Sequence, residues 1–136
     1  MAKLWVVPDA VAAEFEIKRS IAPYVAELET VSKVSLESCL QIHPFVAAWD
    51  LGQGESEVLS LSMKKGMGTK AVLDDLQARK CAKLLGVSLI GSVGLIIMAK
   101  RVGLIGEAKP EINKLKELGL RIDTDLLTKV FQKIGE

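Results

Sequence analysis

Short apolar runs alternating with longer helical periods predict an α/β fold, a mostly parallel sheet covered by helices on both faces. Three observations carry this. Leu4-Trp5-Val6-Val7 is an apolar run stopped by Pro8, and Ala71-Val72-Leu73 is a second, ending in Asp74-Asp75. Residues 87–90 form a third, closed by the turn Gly91-Ser92. Each is followed by a segment whose apolar residues recur at helical spacing.

In order along the chain, the first strand covers 4–7, and a helix over 10–17 follows with Asp9 placed as its N-cap. Pro23 at a first helical position opens a helix through Glu29. Residues 31–36 alternate apolar and polar, the pattern of a half-exposed edge strand. Residues 44–49 make a short helical turn, and 54–65 a helix with Val58, Leu61 and Ser62 on one face. The strand 71–73 leads into a helix over 77–85, with Ala78, Cys81, Ala82 and Leu85 at helical spacing. After the strand 87–90 come a strongly apolar helix over 93–102, a helix from Lys109-Pro110 to near Gly119, and a last one capped by Asp123.

The 136 residues are one domain's worth of sequence, 49% hydrophobic and 26% charged, which excludes intrinsic disorder. Eighteen Lys and Arg against seventeen Asp and Glu leave a charge of +1, so the totals show no strongly basic nucleic-acid binder. Cys39 and Cys81 are too few and too far apart for a disulfide scaffold and read as buried thiols. The apolar stretch 84–99 is interrupted by Gly86, Gly91 and Gly94 and is shorter than the roughly 20 residues of a membrane span. No signal peptide is legible, and the expected location is cytoplasmic.

Ligand sites in such sheets lie beyond the carboxyl ends of the strands. Asp74 and Asp75 stand there, where they either cap the next helix or bind a hard divalent cation such as Mg²⁺. Glu55 and Glu57 occupy the first turn of their helix but point to different sides of it, so at most one shares a site with Asp75. Glu14 lies among Val11, Ala12 and Phe15 as a boundary carboxylate. Gly66-Met67-Gly68-Thr69-Lys70 lacks the spacing of a phosphate loop and reads as a turn. His43 has no triad partner and reads as a residue flanking a helix start.

Taken in order, Pro8-Asp9-Ala10-Val11-Ala12-Ala13-Glu14, Gly54-Glu55-Ser56-Glu57-Val58 and Leu73-Asp74-Asp75-Leu76-Gln77-Ala78-Arg79 resemble successive motifs of the PIN-like family. The resemblance continues through Leu85-Gly86-Val87-Ser88-Leu89-Ile90-Gly91-Ser92-Val93-Gly94-Leu95 and Ala99-Lys100-Arg101-Val102-Gly103-Leu104-Ile105. It extends to Leu118-Gly119-Leu120-Arg121-Ile122 and the closing Gly135-Glu136, and is closest from Gly52 onward. The branch it is most similar to is a prokaryotic one near the toxins of toxin–antitoxin pairs.

This resemblance implies a three-layer α/β/α domain spanning 1–136, with an acidic cluster that binds Mg²⁺ or Mn²⁺ and hydrolyses RNA. The metals would orient and deprotonate an attacking water and neutralise charge on the phosphate. By position Glu14 matches the family's second acid, Glu57 the third and Asp75 the fourth, with Asp74 beside it as a further metal ligand.

The chain departs from the family at its start. A member opens with a strand ending in Asp, then a helix, before the strand equivalent to Leu4-Trp5-Val6-Val7. Here only seven residues precede Pro8 and none is acidic. The expectation is an N-terminally truncated domain, short by on the order of 25 residues at typical unit lengths. Asp9 is the candidate to replace the absent acid. Two function classes follow. One is a PIN-type endoribonuclease that is weak or inactive in this chain. The other is an impaired module binding nucleic acid, an antitoxin-like protein or its own copy as a homo-oligomer, with Trp5 and Trp49 offering apolar area to bury.

Overall fold

The computed structural model describes residues 4–18 and 34–136. The helix expected over 23–29, and residues 31–33 of the expected edge strand, lie outside them. The chain divides into two compact units, Ala2–Ile90 and Gly91–Glu136.

In the first unit, β1 (Trp5–Pro8) runs directly into α1 (Asp9–Lys18), so Asp9 is the first residue of the helix. β2 (Val34–Glu37) lies parallel to β1, with Trp5 opposite Val34 and Pro8 opposite Glu37. Its residues alternate exposed and half-buried, but in the opposite sense to the expected edge strand: apolar Val34 and Leu36 are exposed, while Ser35 and Glu37 are half-buried. β3 (Ala71–Val72) and β4 (Leu89–Ile90) form a second parallel pair, extended by the Leu73 N–H donating to Ile90 O at 3.0 Å. Both strands are shorter than the apolar runs that predict them. All strand pairing among the described residues is therefore parallel, in two two-stranded sheets.

α3 (Gln53–Lys65) is the hub of this unit and packs against α1, β1, α2 (Pro44–Ala47), β3 and α4 (Leu76–Leu84). It is buried on more than one face: Gly54, Ser56, Glu57 and every residue of 59–62 are buried. Small serines make this close packing possible, and their hydroxyls are satisfied. Ser62 Oγ donates to Val58 O at 2.7 Å, and Ser60 Oγ accepts from the His43 N–H at 3.0 Å. The core holds Val46, Leu59, Ala71, Leu73, Ala78, Cys81 and Ala82, with Trp49 packed against it. Trp49, expected to offer area for self-association, thus packs against its own unit.

Asp9, expected as the N-cap of α1, is instead its first residue, whereas α2 starts at Pro44 as expected. His43 Nδ1 accepts from the Phe45 N–H at 3.1 Å, which makes His43 the cap of α2. Gly66 ends α3 with φ +69° and Gly68 follows with φ +84°, both left-handed conformations that favour glycine. The segment 66–70 is a turn, closed by the Thr69 N–H on Gly66 O at 3.2 Å.

The second unit contains α5 (Ser92–Arg101), α6 (Lys109–Glu117) and α7 (Thr124–Ile134). Ala108, Ile112 and Leu127 form its buried core, with Val93, Ile96, Ile122, Phe131 and Ile134 against them. Asp123 caps α7, its Oδ1 accepting from the Asp125 and Leu126 N–H groups at 2.8 and 3.1 Å. Among the described residues no helix is long and apolar enough to cross a membrane.

Candidate acidic site

The N-terminal ends of α1 and α3 meet at Glu57. This side chain is 6% exposed, and both its oxygens are engaged. Oε1 accepts from the Ala10 N–H at 3.1 Å and Oε2 from Gln53 Nε2 at 2.9 Å. Glu57 thus supplies from α3 an acceptor for one of the first N–H groups of α1, where negative charge meets the positive end of the helix dipole. Gln53 stands four residues earlier on α3, the spacing at which helical side chains meet.

Glu14 approaches the same contact from α1. Its Oε1 lies 2.8 Å from the point that a Cβ on Gly54 would occupy, and Val11 Cγ2 lies 3.4 Å from it. Gly54, buried in the first turn of α3, therefore leaves the space that the Glu14 carboxylate takes. Glu55 turns elsewhere: its Oε2 is 2.5 Å from where a Cβ on Gly52 would stand, back over the helix start. The opposite projections of Glu55 and Glu57 are as their two-residue spacing requires.

Asp75 caps α4, with Oδ2 accepting from the Ala78 N–H at 2.9 Å. Arg79, one turn into α4, donates from Nη1 to Leu73 O at 2.9 Å and brings a cation to the end of the β3 run. Asp74 is exposed on the same rim. Asp9 Oδ2 accepts from Ser38 Oγ at 2.7 Å, tying the start of α1 to the end of β2.

Glu14 and Glu57 are thus brought to one helix–helix contact, while Asp75 serves its own helix. All four expected ligands offer the hard oxygens that Mg²⁺ or Mn²⁺ accepts. Yet among the described residues no group of three or more His, Cys, Asp and Glu side chains is placed to hold a metal ion. Glu57 is hydrogen-bonded through both oxygens and Asp75 caps α4, so each would offer a metal only its remaining lone pairs. Gln53 and Ser38 are partners of these acids that sequence reasoning missed. Only Gln53 had a legible signal, its spacing from Glu57.

Cys39 and Cys81 are free thiols, and only Cys81 is buried as expected, Cys39 being half-buried. Cys39 Sγ donates to Gln41 O at 3.4 Å, and burial pushes the Cys81 thiol up from its ordinary pKa.

The model of family DUF3368, a PIN domain, matches residues 1–136. No curated protein and no solved structure matches the chain.

Proposed function

The chain belongs to the PIN domain family, and from that premise we propose that it is a metal-dependent ribonuclease of the PIN type whose activity in this chain is weak or absent. The family's general activity is of the nuclease type, and its members generally depend on divalent metals. In our reading Glu14, Glu57 and Asp75 are the descendants of the catalytic acids, with Asp74 as a further ligand for Mg²⁺ or Mn²⁺. In the same reading the two parallel strand pairs belong to a three-layer α/β/α arrangement.

One observation carries the expectation of weak activity: both oxygens of buried Glu57 are already accepting hydrogen bonds. Each oxygen keeps a further lone pair, so a metal would have to approach Glu57 on the sides that the Ala10 N–H and Gln53 leave open. Asp75 has its Oδ2 engaged by the Ala78 N–H.

The second reading is a catalytically impaired module that binds nucleic acid, an antitoxin-like protein or its own copy. It is supported by the exposed apolar side chains Leu36, Leu40 and Phe45 within ten residues of one another. A cytoplasmic location belongs to the proposal and accords with two free thiols. Incubation with generic single-stranded RNA and Mn²⁺ separates the readings. Slow cleavage abolished by chelation supports the enzyme, and retention of intact RNA supports the binding module. Neither cleavage nor retention would exclude RNA from both.

A further inference from the structure

We propose that Glu136 is a strap that holds α5, α6 and α7 together, and that its release lets α7 open. The turn that delivers it is built from Gly135, whose φ of +78° reverses the chain at the end of α7. There the Glu136 N–H donates to Phe131 O at 2.7 Å and the Gly135 N–H to Gln132 O at 3.3 Å, satisfying the helix's last carbonyls.

The side chain then reaches across the unit. Its Oε2 accepts from Lys100 Nζ at 2.6 Å and from the Ala108 N–H at 2.9 Å, and its Oε1 accepts from the Lys109 N–H at 2.9 Å. Lys100 Nζ also donates to Ile134 O at 2.9 Å. One carboxylate therefore ties the last turn of α5, the start of α6 and the end of α7.

This contact meets a need that the local sequence leaves open. Helix α6 begins at Lys109 after Ala108, which has no side chain able to cap it. Its first N–H groups require an acceptor, and the positive end of its dipole favours a negative one. Glu136 supplies both from 27 residues away. Among the described residues the apolar core beneath has only Ala108, Ile112 and Leu127 buried, so this small unit depends on its polar clasp more than a large core would. Release of α7 would uncover Leu127, Phe131 and Ile134, spaced as one helical face.

Amide hydrogen exchange on the full chain, read by peptide mass spectrometry, tests the strap independently of any nuclease activity. Glu136→Gln keeps one acceptor oxygen but removes the charge, and Lys100→Met removes the bridging cation. Both are expected to speed exchange in α7 and the first turn of α6 by about tenfold or more, with α3 and α4 unchanged. Unchanged exchange in α7 in both variants would overturn the proposal. So would an equal rise in α3 and α4, which would make Glu136 a support of the whole chain.

Discussion

The Ala10 N–H donates to Glu57 Oε1 at 3.1 Å across 47 residues of sequence, so a carboxylate on α3 supplies an acceptor at the start of α1. The same glutamate is our proposed counterpart of the family's third acid. In that proposal a metal at Glu57 would share its two oxygens with the Ala10 N–H and Gln53.

Removing that carboxylate tests the structural task. Glu57→Ala is expected to lower stability by about 1–3 kcal/mol, because it orphans a helix-terminal donor and leaves Gln53 without its partner. Urea unfolding followed by circular dichroism measures the change. A shift below about 0.5 kcal/mol would mean the hydrogen bonds contribute little.

Gly54→Ala addresses the space used by Glu14. The new methyl would sit 2.8 Å from Glu14 Oε1, so that carboxylate must move. Glu14 is exposed and its side chain can give way, while alanine gains up to about 1 kcal/mol of helix propensity. Stability should be unchanged or slightly raised in thermal unfolding. A clear loss would show that Val11, 3.4 Å away, is the contact that cannot yield.

These contacts also show where the sequence was legible. Pro44, Asp75 and Asp123 announced helix starts because capping is local chemistry, written within three residues of the helix it serves. The apolar run 71–73 predicts a buried strand, and Ala71 and Leu73 are buried while Val72 between them is exposed. The pairing of Glu57 with Ala10 and the clasp of Glu136 on Lys100 were not legible. Both depend on how helices far apart in sequence pack, which periodicity does not encode. The site was legible only as candidate acids at family positions. Whether their oxygens were available depended on partners such as Gln53.

Acid should weaken the C-terminal clasp. Hydrogen bonds from Lys100, Ala108 and Lys109 hold the Glu136 carboxyl at a pKa of about 2, below its ordinary 4.5. A depressed carboxylate contributes stability above its unfolded value and loses it as pH falls through the folded one. Exchange in α7 should therefore accelerate as pH drops from about 4.5 towards 2, after correction for intrinsic rates. Glu136→Gln should show little of this dependence. An equal pH response in the two proteins would assign the effect to other carboxylates.

Asp75 permits its charge to be separated from its cap. Asparagine caps helices about as well as aspartate, whereas alanine costs about 1 kcal/mol. Asp75→Asn should keep the stability of α4, and Asp75→Ala should lose roughly that amount in denaturant unfolding. Equal losses would mean that the carboxylate charge, not the cap, stabilises this end of α4.

That separation makes Asp75→Asn the informative variant for the central claim, since it removes a candidate metal-ligating charge without unfolding the helix. The decisive measurement is the rate of generic RNA cleavage with Mn²⁺ by the 136-residue chain beside Asp75→Asn. Cleavage by the unaltered chain is expected to lie at or barely above the metal-only background, leaving the variant little to lose. Rapid cleavage that disappears in Asp75→Asn would contradict this, and would show that the acids converge on metal despite the hydrogen bonds that hold Glu57 and Asp75.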